Sequence, residues 1–198
     1  MGRSEMKYFL DCGCNDGDTI EKFLKGQIFS HIPDPQDYYV IGFDICADFE
    51  ESVLKTIKEN GATGFFFHGA VTTHARGVKA LMANDNSVSS SIVKKNNKAA
   101  KWFFDHEEVV PSIDFSSFIM TLDSPEILLK MDIEGSEYEV LPKMIQDRTI
   151  FSVKELMIEY HYSFRQIDGK LIRKWYRDYK DFLTKYLTDI NISVQEYK

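Results

Sequence analysis

The 198-residue sequence has no apolar run approaching the roughly 20 residues that cross a bilayer, so no membrane span is expected. Cysteine is scarce. Cys12, Cys14 and Cys46 are an odd set, and Met1-Gly2-Arg3-Ser4-Glu5 lacks the apolar stretch of a secretory leader. Together these exclude a disulfide scaffold and point to reduced thiols in a cytoplasmic setting. A Cys12-x-Cys14 pair can ligate zinc, but four closely spaced ligands are not evident. Excess positive charge is also missing. There are 24 Lys and Arg against 31 Asp and Glu, a net charge of -7, which argues against nucleic acid as a partner because phosphates need cationic side chains. The Gly-x-Gly-x-x-Gly dinucleotide pattern is absent. So are an Asn-Pro-Pro-Tyr motif for methylating base amines and a Pro-Cys nucleophile for cytosine carbon.

Alternating strand-like and helix-period segments fill the chain. Tyr8-Phe9-Leu10 leads into Asp11, and Tyr39 to Phe43 leads into Asp44. Gly64 to His68 reads as a third strand, Ile127 to Met131 as a fourth ending at Asp132, and Glu155 to Ile158 as a fifth ending in Glu159-Tyr160-His161. Helical stripes lie between them: Ile20, Phe23 and Leu24; then Phe49, Val53, Leu54 and Ile57, with a capping box from Asp48 to Glu51. A second capping box, Ser136 to Glu139, precedes Val140, Leu141 and Met144. Trp175, Tyr179, Phe182 and Tyr186 recur at helical spacing, and Ile190 to Val194 can add a last strand. This order predicts an α/β, Rossmann-like fold: a mostly parallel central sheet with helices on both faces, in one domain over residues 1–198. Right-handed crossovers put Asp11, Asp44 and Asp132 on the one sheet edge where such folds bind ligands. Residues 84–110 stand apart. Lys94, Lys95, Lys98 and Lys101 precede Trp102-Phe103-Phe104, reading either as an exposed Lys-rich helix with aromatics turned inward or as a lid over that edge.

Asp11-Cys-Gly13-Cys-Asn15-Asp16-Gly17-Asp18-Thr19 joins the first strand to the first helix. Gly13 and Gly17 permit tight turning and close approach of backbone to ligand. Asp11, Asp16 and Asp18 would repel a pyrophosphate and favour a cofactor carrying an ammonium and a sulfonium, as S-adenosylmethionine does. Asp44, at the second strand end, can accept hydrogen bonds from both ribose hydroxyls. A turn and helix cap are the alternative for either feature alone. Asn15, Thr19, Ala70 and Asp132 complete the expected cofactor set.

These segments resemble the FkbM-type methyltransferase family from about Tyr8 to His161. The resemblance is carried by Asp11-x-Gly13-x-Asn15-x-Gly17-Asp18, Gly42-Phe43-Asp44, Ser89-Ser90-Ser91 and Ile158-Glu159-Tyr160-His161. Its most specific piece is Leu129-Lys130-Met131-Asp132-Ile133-Glu134-Gly135-Ser136-Glu137, followed by Val140-Leu141. Asp44 stands where the family often has Glu, and Pro142 where it often has Gly. The resemblance implies a class I methyltransferase fold and S-adenosylmethionine-dependent O-methylation of small molecules or glycans, a sugar being the preferred acceptor. It also implies, by relation to metal-dependent O-methyltransferases, that acidic residues at the fourth and fifth strand ends hold a divalent ion. The expected ligands are Asp132, Glu159 and His161, a set suited to Mg²⁺ or Mn²⁺. An alcohol near neutral pH needs such a metal, or a base. His161 is the candidate base, or else a hydrogen-bonded loop histidine.

Lys130 alternates onto the strand face of Asp132. It can polarise the acceptor, pair with an active-site carboxylate, or form a purely structural ion pair. Glu134 and Glu137 are candidates for acceptor binding, and Trp102, Phe103 and Tyr162 for stacking on a pyranose. The rival functions are a metal-independent methyltransferase with His161 as base, an NAD(P)-dependent oxidoreductase on the same fold, and a non-catalytic accessory domain.

Overall fold

A computed structural model describes residues 6–83, 90–92, 104–124, 126–161 and 170–197. Three apolar runs near the N-terminus become β1 (Lys7–Cys12), β2 (Tyr38–Asp44) and β3 (Thr63–His68), and two later ones become β8 (Ile127–Met131) and β9 (Val153–Ile158). With β10 (Ser193–Glu196) they form one sheet in the order β10-β9-β8-β1-β2-β3, every pairing parallel. Every residue of β8 is buried, as suits a central strand covered on both faces.

Helices lie on both faces, as the β-α-β order predicts. On one face α1 (Asp18–Leu24) and α2 (Glu50–Glu59) bury Ile20, Phe23, Val53 and Ile57 against Phe9, Val40 and Leu128. On the other, α3 (Phe115–Thr121), α4 (Glu137–Gln146) and α5 (Lys170–Asp189) bury Phe115, Val140, Met144 and Leu187 against Leu10, Ile41 and Leu129. The chain steps from β1 through β2 to β3 in one direction and from β8 through β9 to β10 in the other. The order therefore reverses between β1 and β8, which opens a crevice beyond their C-terminal ends.

Outside this sheet, β4 (Ala70–Thr72) pairs with β7 (Ser112–Asp114), and β5 (Val78–Ala83) pairs antiparallel with β6 (Phe104–Val110). A bridge between Leu81 and Ser91 draws Ser90-Ser91-Ile92 onto this ribbon. Thus the end of the 84–110 stretch is strand, and Lys94, Lys95, Lys98, Lys101, Trp102 and Phe103 lie outside the described residues.

Local details differ from the sequence pattern. A short 3-10 turn, Ala47–Phe49, leads into α2, and Phe49 rather than Asp48 takes the N-cap position. Ser136 gives no side-chain cap to α4. The buried seam of α5 is Tyr176, Leu183 and Leu187, whereas Trp175 and Phe182 are 55% and 60% exposed. The final strand begins at Ser193 because the chain first turns at Asn191, where φ is +65°. Among the described residues no helix is long and apolar enough to cross a membrane.

Candidate active site

The β1–α1 loop is held down by its own backbone. Gly13 and Cys14 both donate to the Phe43 carbonyl, at 2.8 and 3.1 Å, and Asp132 donates to the Cys12 carbonyl at 2.9 Å. Gly13 has φ +80°, and a β-carbon there would lie 1.8 Å from the Asp132 carbonyl oxygen. Only glycine fits both the conformation and the contact. The close approach is to the end of β8. Gly17 has φ +94°, a conformation glycine takes without strain, and a β-carbon there would make only ordinary contact with Val53 of α2 at 3.4 Å. Gly17 does not line the cleft, unlike Gly13, Asn15, Asp16 and Thr19.

Asp44 ties two loops together from the end of β2. One carboxylate oxygen accepts from the Asn15 amide at 3.0 Å and the other from the Cys46 amide at 2.9 Å. Burial raises its pKa against these bonds. Asp44 lines the cleft beside an apolar wall of Ile45, Phe49, Ala70 and Ile92. Beyond the loop, the cleft reaches Lys130, Asp132 and Glu134. The Asp44 carboxylate also takes a backbone hydrogen bond from Ile45, and the wall suits a flat apolar ring.

Lys130 sits beneath this end. Its ammonium donates to the Gly13 carbonyl at 2.7 Å and lies 3.2 Å from Asp11 and 3.3 Å from Asp132. Lys130 is only 2% exposed and Asp11 0%. Burial alone would lower the ammonium's pKa, but the two carboxylates outweigh it and hold the charge above its ordinary range. Burial pushes Asp11 up to about 6, against the pull of Lys130. Asp11 does not line the cleft. Lys130 thus links the β1–α1 loop to the end of β8 while also lining the cleft.

A second cluster adjoins the cleft at Asp132. β8 and β9 are neighbours in the sheet, so Asp132, Glu159 and His161 come together as expected. His161 Nδ1 lies 3.7 Å from Asp132, and Nε2 lies 3.5 Å from Glu159. These two closest approaches are to opposite nitrogens of the ring. Glu137 makes the shorter contact, 3.2 Å to Nδ1. It is fully buried, and its oxygens accept from the Ile133 and Gly135 amides at 2.8 and 2.9 Å. Asp132, Glu137 and His161 each offer a ligand atom within 4.8 Å of the others. Burial would lower the pKa of His161, but the Glu137 bond and charge, with Glu134 and Asp132, raise it to about 9. Glu159 is also raised, by burial and then by Asp132.

Glu134 has φ +54° and Gly135 φ +108°. That turn points the 133 and 135 amides at Glu137, while the Glu134 carbonyl accepts from Ser91 at 2.9 Å. Glu134 lines the cleft; Glu137 does not. The signal for Glu137 was its place two residues after a glycine at a helix start, where orphan amides await an anion. Its partnership with His161 depends on tertiary structure.

The family model described as the methyltransferase FkbM domain matches residues 11–183. No curated protein and no solved structure matches the chain.

Proposed function

The chain belongs to the FkbM methyltransferase family, and from that premise we propose that it moves the methyl group of S-adenosylmethionine to a hydroxyl oxygen of a small molecule or glycan. A sugar is the acceptor class that suits the family resemblance. The observation that carries this reading is the position of Asp132: it closes one end of the cleft and also faces His161. Cofactor and acceptor sites would therefore meet at one carboxylate.

Asp44 would take the ribose hydroxyls, with Ile45, Phe49 and Ala70 against the base. Gly13, Asn15, Asp16, Thr19 and Asp132 would border the remainder of the cofactor. The cofactor supplies an electrophilic methyl carbon on a sulfonium. Near it the chain presents carboxylates, which favour positive charge in a partly enclosed cleft. The absence of a pyrophosphate-binding glycine pattern and the acidity of Asp16 and Asp18 weigh against a nicotinamide cofactor.

The acceptor hydroxyl must be oriented and made nucleophilic. Asp132 and His161, with Glu159 beside the ring, would hold a divalent cation such as Mn²⁺ or Mg²⁺; their oxygen and imidazole donors fit such an ion. That ion would supply Lewis acidity toward the acceptor oxygen. A second reading has its own observation, the 3.2 Å contact of His161 with buried Glu137. A ring oriented by a buried carboxylate can take a proton directly once it is neutral, and its raised pKa of about 9 puts that form in alkaline solution.

A thermal-shift comparison tests the cofactor class. S-adenosylhomocysteine should raise the melting temperature in a concentration-dependent way and NAD should not. Stabilisation by NAD alone would overturn the reading in favour of an oxidoreductase.

A further inference from the structure

Glu137 does not line the cleft, and it is a fully enclosed carboxylate beside the reacting edge. It has 0% exposure. Oε1 accepts from the Ile133 amide and Oε2 from the Gly135 amide. Oε1 also meets Nδ1 of His161 at 3.2 Å. Both oxygens thus face N–H donors, and a carboxylate in that setting acts as an acceptor on every side. Its partner on the ring must then be the donor. The Glu137–His161 contact therefore requires the proton on Nδ1.

We propose that Glu137 is a positioning residue that holds a proton on Nδ1 of His161, so that the nitrogen that gives up and takes back a proton is Nε2, on the side of Glu159. The weight of this assignment for catalysis rests on His161 acting in methyl transfer, but the Glu137–His161 relation is independent of that reading.

Three features support it. The first is that Glu137 is held at its other contacts by backbone amides of a turn, not by mobile side chains. Its position is therefore set by the fold before any ligand arrives. The second is that the turn is built for this: φ is +54° at Glu134 and +108° at Gly135, which aims two successive-turn amides at one carboxylate. The third is the ring's far side, where Nε2 lies 3.5 Å from Glu159. An imidazole that gives one N–H to a buried carboxylate and turns its other nitrogen to the functional side is how proteins fix a histidine's tautomer, whether it serves as base or as metal ligand. Glu137 would then act through His161 and not touch the acceptor.

The test uses the full chain labelled with ¹⁵N at histidine, stripped with chelator, in long-range ¹H–¹⁵N correlation spectra at pH 10, where the ring keeps one proton. His161 is identified among the five histidines by its disappearance in His161→Asn. Wild type should show the proton on Nδ1 and a bare Nε2. In Glu137→Ala the Nδ1–H signature should be lost, the ring shifting toward the Nε2–H form. A wild-type His161 protonated on Nε2 alone would overturn the proposal without any variant. So would an unchanged His161 spectrum in a folded Glu137→Ala. If that variant does not fold, the wild-type spectrum decides. Calorimetry with S-adenosylhomocysteine on the same wild-type sample separates the two ideas. No binding alongside an intact Nδ1–H signature refutes the cofactor assignment and leaves the Glu137–His161 relation standing.

Discussion

A β-carbon on Gly13 would sit 1.8 Å from the carbonyl oxygen of Asp132. This is the seam between the first and second halves of the sheet, where β1 and β8 end side by side. Gly13→Ala must open that seam or shift the loop, and it also places alanine at φ +80°. The conformation alone costs about 1–2 kcal/mol, and the backbone collision adds to it. Urea unfolding should give a loss of more than about 2 kcal/mol, with weakened S-adenosylhomocysteine binding. A variant as stable as wild type would mean that the loop and β8 are not in contact.

Lys130→Met should be among the most damaging single changes. It leaves Asp11 fully buried without its cation, and removing one partner of a buried pair costs about 3–5 kcal/mol. Adding Asp11→Asn should recover part of the loss, and a double-mutant cycle measures the coupling. Simple additivity of the two changes would show that the pair contributes no coupling.

The same residue predicts a pH dependence. Asp11 in the folded chain titrates at about 6 against an ordinary value of 3.8, so the native state binds its proton more tightly than the unfolded state does. The stabilisation from that proton is fully present below about pH 4 and is lost as pH rises through 6. With Lys130 gone the carboxylate is still less favoured, so Lys130→Met should be relatively more stable at pH 5 than at pH 7.5. Urea midpoints at the two values check the sign. A variant relatively more stable at pH 7.5 would contradict it.

Much of this architecture was legible because the central strands are continuous apolar runs that end in acidic residues. Ile127 to Met131 can hardly be anything but a buried strand, and Asp132 follows at its end. The Lys130–Asp132 relation was legible too, from simple alternation along β8. The α5 helix was harder to read. The Trp175–Tyr186 stripe and the buried Tyr176–Leu183–Leu187 seam have similar spacing on adjoining faces, and sequence alone cannot say which packs inward. The β6 strand was hidden because Glu107, Glu108 and Val109 are exposed on a two-stranded ribbon, so it has no apolar alternation. Within the site, Gly17 faces Val53 across the α1–α2 contact. Asp11 lies 3.2 Å from Lys130. Both relations join residues distant in sequence, beyond the reach of a local motif.

Metal binding can be read without knowing the acceptor. Chelator-treated protein should take up Mn²⁺, followed by paramagnetic resonance of the free ion. Asp132→Ala should weaken that uptake at least about tenfold, since it removes an anionic ligand from a hard-cation site. His161→Ala should weaken it as well. Failure of wild type to bind Mn²⁺ would leave His161 as the base, with no ion in the site.

The most direct test of the central claim is a calorimetric titration of wild type and Asp44→Ala with S-adenosylhomocysteine, with melting temperatures recorded for both. Asp44 lines the cleft at the end of β2, and hydrogen bonds to a charged group contribute about 1.5–3 kcal/mol each. Wild type should bind, and Asp44→Ala should bind at least about tenfold more weakly while remaining folded. No binding to wild type, or equal affinity in a folded Asp44→Ala, would contradict the assignment of this cleft to the methyl donor.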